Sequence, residues 1–355
     1  TEECLDRLSN VLVYKILQLK NVLKQRFIRQ GAQVSFSFVF TEGSFTTFSL
    51  GNAKTTVDHV YGGHSVLEAL ECPRPDPDDV WIFVSQRIVE RIQTDFVINA
   101  LENENKTPFF LVAGVVENSR IASSSIEGVD IRKMVKPEQF DKIFKEVGSY
   151  IPKCLDSFIQ NGIDMWGNEL RKITAMFLNI PFDVQDIQSE QGLTNLQNIV
   201  TKVRKSVQEY NGFIYRFYLD SKGIYMFVLF GLYPDCHPED SMKCMLCSLS
   251  LNESLAKLGV AVYTGISTGE VLLSICGSYQ KDLFIIGEPL YTAFLLSLVS
   301  LRDGSIRIMV DFESKVAAES KLSFQLYKNP IFTGKIAEGI FQIMYSGEPL
   351  PPTTG

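Results

Sequence analysis

The sequence predicts an α+β protein built from two related units. Three observations favour this class. Helical spacing of apolar residues alternates with short strand-like runs, and one arrangement of such elements occurs twice, about 225 residues apart. The chain of 355 residues is also too long for one comfortable core. Hydrophobic residues make up 45% and charged residues 21%, which excludes a disordered or fibrous chain.

The first unit begins with a predicted helix. Apolar residues in 5–27 recur at helical spacing, and Gly31 is placed to end this helix. Residues 34–40 alternate between apolar and small polar types, and residues 45–50 follow a turn at Glu42-Gly43, which together predict a hairpin. The remaining predicted elements are a strand at 80–84 and a short helix at 87–96.

The second unit alternates predicted strands and helices from Lys172 onward. In chain order these are strand 173–180, helix 196–210, strands 213–218 and 224–230, helix 240–258, a hairpin in 260–275, a helix from Pro289 and a strand at 305–310. Residues 116–171 are less regular and are interpreted as a connecting region.

The internal repeat depends on glycine spacing. Gly43 and Gly51 are separated like Gly269 and Gly277, and each pair lies in apolar strand-like sequence. The match extends to three other pairs: the helix ends at Gly31 and Gly259, the helix starts after Tyr61-Gly62 and Ile286-Gly287, and the strands 80–84 and 306–310. Duplication explains this most simply, with residues 1–115 holding only the last part of one unit, because nothing before Thr1 corresponds to 173–230. The expected boundaries are 1–115, 116–171, 172–347 and a tail at 348–355.

Composition also limits the partners. The formal net charge is −7 and is spread along the chain, so attraction to nucleic acid is not expected. The longest nearly apolar run, at 293–301, is too short for a membrane span, and the N-terminus lacks a signal pattern. We therefore expect a cytoplasmic protein.

Several stretches of the second unit resemble the catalytic-homology domains of class III nucleotidyl cyclases. These are 174–180, 212–231, 265–269 with Gly277, and 284–287. The order of elements is most similar to the tandem cyclase domains of soluble adenylyl cyclase, with the first domain truncated. The resemblance implies ferredoxin-like units, each an antiparallel sheet with helices on one face, packed as a pseudo-symmetric pair.

The resemblance also implies where a site would lie. In that family, one unit supplies two metal-binding aspartates, and the other supplies a base-reading Lys with an Asp or Thr, plus an Asn and an Arg for the phosphates. Attack of the ribose 3′-oxygen on the α-phosphate needs Mg²⁺ and cationic stabilisation of the leaving pyrophosphate, which explains these residue types.

Most of these groups are replaced in this chain. The Lys position falls on Arg216 and the Asp or Thr position on Phe284, while the Asn and Arg positions fall on Tyr291 and Leu295. Arg216 is thus the one nucleotide-binding candidate among them. The first-strand metal position is Asn179, and the position of a bicarbonate-binding Arg in the soluble cyclases aligns with Ala69. The helix after Gly287 is apolar on nearly every side, which predicts burial among protein, with Tyr291 and Leu295 packed.

Two other groups of residues could bind metal. The first is a zinc-like set, for which buried thiols in a helix are the competing interpretation: Cys236, His237, Cys244 and Cys247. The second is an acidic set, which a solvated helix face also explains: Asp183, Asp186 and Glu190. The sequence contains no phosphate-binding glycine-rich motif and no serine-hydrolase elbow.

Two main hypotheses follow from the resemblance. The favoured one is a catalytically inactive cyclase-like module, without cofactor, that acts as a structural or regulatory part of a larger protein assembly in the cytoplasm, with a cilium or flagellum axoneme as a setting suggested by analogy. The alternative is a working adenylyl cyclase that makes cAMP from ATP and Mg²⁺, with aspartates from a preceding segment. Nucleotide binding without turnover, through Arg216, ranks third.

Overall fold

The chain forms two units in a computed structural model of the protein. The first comprises Thr1–Phe48 and Tyr61–Phe140, and the second comprises Ser49–Val60 and Asp141–Gly355. The structure describes residues 2–30, 36–51, 57–72, 80–100, 108–117, 169–220, 222–233, 235–276, 282–305, 307–327 and 339–344. The connecting region (except its ends), the tail and Gly277 of the glycine repeat lie outside these residues.

Unit 1 contains a four-stranded sheet in the order β1-β4-β6-β5. β2 and β3 pair separately, and part of each of these two strands falls in the Ser49–Val60 segment assigned to unit 2. β1 and β4 are parallel, and β6 is antiparallel to both β4 and β5. The elements are α1 (Glu2–Gln30), β1 (Phe36–Phe40), β2 (Thr46–Gly51), β3 (Val57–Gly62), α2 (His64–Leu70), β4 (Val80–Ser85), α3 (Gln86–Ile92), β5 (Phe96–Ala100) and β6 (Phe109–Val115).

The core of unit 1 lies between this sheet and helices α1 and α3. Val13 of α1 is fully buried with Ile82 and Val84 of β4 and with Ile92 of α3. Ion pairs also link α1 to the rest of this unit, because Arg91 of α3 binds both Asp6 of α1 and Glu42 of the segment after β1. The predicted hairpin of 34–50 is wrong, since β1 pairs with β4 and β2 with β3.

Unit 2 contains a larger, mainly antiparallel sheet. Its elements are β7 (Glu169–Pro181), a 3₁₀ turn (Val184–Gln188), α4 (Glu190–Glu209), β8 (Phe213–Asp220), β9 (Gly223–Phe230), α5 (Asp240–Ala256), β10 (Tyr263–Cys276), β11 (Asp282–Ile286), α6 (Glu288–Asp303), β12 (Ile308–Val310), α7 (Phe312–Ala318), β13 (Ser323–Leu326) and β14 (Phe341–Met344).

The first six regular elements of unit 2 form a ferredoxin-like core. Strands β10, β7, β9 and β8 are adjacent in that order and pair antiparallel throughout. Helices α4 and α5 pack against each other, and α5 lies on one face of the sheet, where Ser241 bonds Thr174 of β7. The predicted fold class is confirmed for this unit. Helix α6 lies on the opposite face, where Phe294 packs edge-on against Phe177 of β7.

The internal repeat is confirmed by strand order. The sheet of unit 1, β1-β4-β6-β5, has the same order and directions as β10-β12-β14-β13 of unit 2. The registers also match, because Phe40 pairs with Val84 as Ile266 pairs with Val310. Among the described residues of unit 1, no strand corresponds to β7, β8 or β9.

The hairpin predicted in 260–275 is instead one long strand, β10. Gly269 lies within this strand, where a side chain would collide with α6: a Cβ there would be 2.8 Å from Cγ of Pro289. At Gly265 a Cβ would be 2.0 Å from the carbonyl oxygen of Ala293. These glycines therefore allow α6 to approach the strand closely rather than reverse the chain.

Helix length and hydropathy bear on membrane insertion. Within the described ranges, no helix is both long enough and apolar enough to cross a bilayer.

Candidate functional site

The candidate site residues all lie in unit 2. Arg216 is on β8, Phe284 is on β11, and Tyr291 and Leu295 are on α6. β11 returns along the end of β10, pairing Leu272 with Ile286 through to Cys276 with Asp282. The β10–β11 hairpin thereby folds over the sheet face toward β8.

Tyr215 fastens this hairpin to β8. Its hydroxyl accepts a hydrogen bond from the backbone N–H of Ile285 at 3.0 Å and donates to the carbonyl oxygen of Leu283 at 3.3 Å. Leu283 and Ile285 are buried in the cluster that also contains Phe177. The alternating residues of β11, including Asp282 and Phe284, therefore point outward.

Arg216 is held by protein groups on several sides. Its Nη2 lies 2.6 Å from Oδ2 of Asp282 and 3.2 Å from the carbonyl oxygen of Leu283, and its Nη1 lies 3.4 Å from Oδ1 of Asp282. The guanidinium also lies over the Tyr215 ring, 4.7 Å from its centre. Burial lowers the pKa of Arg216, but the hydrogen bond to Asp282 and neighbouring charges raise it overall. The positive charge of Arg216 is therefore already paired with a carboxylate of the same chain.

Phe284 occupies the outward face of β11, two residues from Asp282. It is 45% exposed, and Ile286 on the same face is also exposed. An aromatic ring offers no hydrogen bond to a purine edge, so this position presents an apolar surface beside the Arg216–Asp282 pair.

Helix α6 begins after Gly287, with Pro289 in its first turn, and buries only one side. Ala293, Leu296 and Val299 face the interior. Leu295 is half-buried, whereas Tyr291 is 64% exposed. The prediction that the helix is buried on nearly every side, with Tyr291 packed, is wrong because, in the described part of the chain, α6 packs on strands β10, β7 and β12 and leaves Tyr291 exposed.

Asn179 lies near the end of β7 and is buried. Its neighbours across the sheet are Tyr225 on β9 and Tyr263 on β10. The neutral amide is therefore buried beside two aromatic residues without the cost of burying a charge.

The sequence interpretation missed a cavity of about 680 Å³ beside the first turns of α6 and α7. Asp311, which precedes α7, accepts hydrogen bonds from the Ser267 hydroxyl at 2.6 Å and from the backbone N–H groups of Ser314 and Thr268. Burial raises the pKa of Asp311, although these hydrogen bonds oppose the shift. The sequence signal that could have identified Asp311 as a helix cap is an Asp followed three residues later by Ser314.

The cavity is also lined by three other acidic residues, Glu270, Glu288 and Glu313, and their carboxylates disfavour the binding of phosphate.

The residues of the two other candidate metal-binding sets have separate places in the structure. Cys244 and Cys247 are fully buried in α5, and burial raises the pKa of both thiols, whereas Cys236 is exposed. Asp183 caps the 3₁₀ turn by accepting from the N–H of Gln185. Across the described part of the chain, no three His, Cys, Asp or Glu residues are grouped to hold a metal ion. Ala69 lies in the last turn of α2.

Comparison with known proteins gives matches among solved structures only. No protein-family model and no curated protein matches the chain. The adenylyl cyclase CyaB from P. aeruginosa is similar at 18% identity, over 52% of this chain and 100% of its own, with a TM-score of 0.44. A bacterial light-regulated adenylyl cyclase is similar at 13% identity, over 73% of this chain and 88% of its own, with a TM-score of 0.49. The guanylate cyclase domain of RhGC from Catenaria anguillulae is similar at 13% identity, over 50% of this chain and 98% of its own, with a TM-score of 0.39.

Proposed function

We propose that this chain is a degenerate class III cyclase-like module that does not turn over nucleoside triphosphates and serves as a structural or regulatory part of a larger protein assembly. The observation that carries the proposal is the state of Arg216. Of the five positions carried over from the family to this unit, it alone holds a cation, and Asp282 and the Leu283 carbonyl already bind that cation.

The phosphate side of the site supports the same proposal. Where the family has Asn and Arg, Tyr291 and Leu295 offer one phenol and one alkyl group. Removal of a single electrostatic stabiliser of a transition state typically costs about 100- to 1000-fold in rate. Loss of both groups, with a neutralised Arg216, would leave little stabilisation for a departing pyrophosphate.

The setting of the module is part of the proposal. A fold kept after loss of its chemistry is most useful as a rigid surface for other subunits, and the exposed residues of β11 and α6 offer apolar area for such contacts. In this proposal the ciliary or flagellar location suggested by the resemblance is one setting for the assembly.

The test is a turnover assay of the purified 355-residue chain with ATP or GTP and either Mg²⁺ or Mn²⁺, with an active cyclase domain as the positive control. We expect cyclic nucleotide no higher than in a blank without protein. Product formation that disappears in Arg216→Ala would refute the proposal and support the alternative of a working adenylyl cyclase.

A further inference from the structure

Unit 2 has another cavity, of about 400 Å³, between the C-terminal half of α5 and strands β12 and β14. Four of the described residues around it are apolar: Leu249, Ile308, Ile343 and Met344. Small-molecule sites in proteins are typically clefts of about 300–1,000 Å³ that are mostly apolar and carry a few polar groups. None of the positions carried over from the cyclase family lines this cavity, so it is separate from the candidate site.

Arg307 supplies a positive charge at this cavity. Its backbone is fixed to β10, because its carbonyl oxygen accepts a hydrogen bond from the N–H of Thr264 at 2.8 Å. The guanidinium lies over the Tyr263 ring, with Cζ 4.5 Å from the ring centre. Nη1 is buried, yet no described residue accepts a hydrogen bond from it.

The state of this guanidinium favours an anionic ligand. A buried N–H group without an acceptor costs free energy, and an anion that accepts hydrogen bonds from the group offsets that cost. The Arg307 side chain as a whole is only partly buried and lines the cavity, so a ligand in the cavity can reach it.

The charges around the cavity favour a ligand with a single negative charge. Among the described lining residues, Arg307 is the one cation and Glu253 is the one anion. Glu253 pairs with Lys257, whose Nζ lies 2.9 Å from Oε1 of the glutamate, so it does not occupy the arginine. Its carboxylate repels a dianion more strongly than a monoanion. A carboxylate is also the planar group that a guanidinium binds through two parallel hydrogen bonds.

The apolar lining indicates the rest of the ligand. Ile308 is buried, Leu249 and Ile343 are half-buried, and Met344 is 47% exposed. A hydrocarbon chain that covers these side chains removes apolar surface from water, which is favourable.

We propose that this cavity binds a small monocarboxylic acid with an apolar body, such as a medium-chain fatty acid. The carboxylate accepts hydrogen bonds from the Arg307 guanidinium, and the chain packs on Leu249, Ile308 and Ile343. This site is independent of the proposed loss of nucleotide turnover, because it uses a different cavity and different residues.

Isothermal calorimetry of the purified 355-residue chain with octanoate tests this site. Three related compounds separate the contributions: octan-1-ol lacks the charge, acetate lacks the chain, and octyl phosphate carries a head group that is mostly dianionic at about pH 8. We expect saturable binding of octanoate, at least about tenfold tighter than binding of any of the three.

Three variants locate the site. Arg307→Met keeps an unbranched side chain but removes the charge, and it should weaken octanoate binding at least about tenfold. Leu249→Trp, which fills the cavity and leaves the arginine in place, should cause a similar loss. Arg302→Met removes an exposed arginine near the end of α6 and should leave the affinity unchanged.

A second measurement is thermal denaturation. Octanoate should raise the melting temperature of the parent but not that of Arg307→Met, since a ligand stabilises only a folded state that binds it. Absence of saturable octanoate binding, equal affinity for octan-1-ol, or tighter binding of octyl phosphate overturns the proposal. Unchanged octanoate affinity in Leu249→Trp, or in an Arg307→Met protein with the circular dichroism of the parent, overturns it as well.

Discussion

Arg216 and Asp282 form an ion pair, with Nη2 of the arginine 2.6 Å from Oδ2 of the aspartate, that links strand β8 to strand β11. The pair lies at the position where the cyclase resemblance places a base-reading lysine. A side chain that could contact a nucleotide thus contacts the strand beside it.

The Arg216–Asp282 pair should contribute little to stability. Asp282 is 62% exposed, and exposed ion pairs are typically worth about 0–1 kcal/mol. Asp282→Ala should therefore lower the free energy of unfolding by no more than about 1 kcal/mol in chemical denaturation. Glu253→Ala, which removes the exposed partner of Lys257, is the matched control. A much larger loss for Asp282→Ala alone would show that the pair is a structural element of the hairpin.

Leu295→Arg, which formally restores the family's cation, should destabilise unit 2. The side chain is half-buried on α6, so a charge there loses part of its hydration, and we expect a loss of about 1–3 kcal/mol. Tyr291→Asn, at the exposed position one turn earlier, should change stability by less than about 0.5 kcal/mol. A Leu295→Arg protein as stable as the parent, with new affinity for ATP, would contradict a decayed site.

Asp311 should make stability fall as pH rises in the acidic range. Burial raises its pKa in the folded state, so just above the ordinary Asp value the folded protein holds a proton that the unfolded chain has lost. In that window the unfolding free energy decreases with increasing pH. Asp311→Asn should flatten the profile from about pH 4 upward, measured by urea denaturation at a series of pH values.

Ser267→Ala supplies the opposite test of the same carboxyl. The Ser267 hydroxyl donates a hydrogen bond to Asp311 and lowers the pKa of that carboxyl. Removing the hydroxyl should therefore extend to higher pH the range in which the unfolding free energy decreases with pH. Identical profiles for the parent, Asp311→Asn and Ser267→Ala would show that Asp311 titrates alike in both states.

Arg91 should hold α1 against the rest of unit 1. Its guanidinium binds Asp6 of α1 and Glu42 after β1, and this hydrogen bonding keeps the pKa of Glu42 below its usual range. Arg91→Ala should lower the melting temperature and speed hydrogen exchange in α1, and its effect should shrink as pH falls and Glu42 becomes protonated. Gln86→Ala, at the exposed start of the same helix, is the control. Equal hydrogen-exchange rates in α1 for both variants would show that the Arg91 ion pairs do not hold this helix in place.

The repeated architecture could be predicted from the sequence because its signals are local. Helical spacing predicted α1, and the apolar run at 80–84 predicted β4, which the structure extends only to Ser85. The glycine spacing indicated the duplication, but it did not indicate that residues 263–276 form one long strand. Gly269 is required by contact with Pro289, a residue 20 positions away, and such a contact leaves no local pattern.

The candidate site could be predicted only as a set of positions. The family resemblance pointed to Arg216, but its partner Asp282 is distant in sequence and reaches it because β11 folds back toward β8. The exposure of Tyr291 was also missed, because an apolar helix sequence indicates burial without indicating which neighbours are present.

Titration of the purified chain with ATP and Mg²⁺ by isothermal calorimetry tests the central claim most directly. The claim is that the site positions of unit 2 do not bind a nucleotide. Asp282 is already paired with Arg216, and Tyr291 and Leu295 stand where the family has its phosphate-binding Asn and Arg. We predict no saturable binding at millimolar ATP, for the parent and for Arg216→Ala alike. Saturable binding by the parent that is abolished in Arg216→Ala would contradict the account.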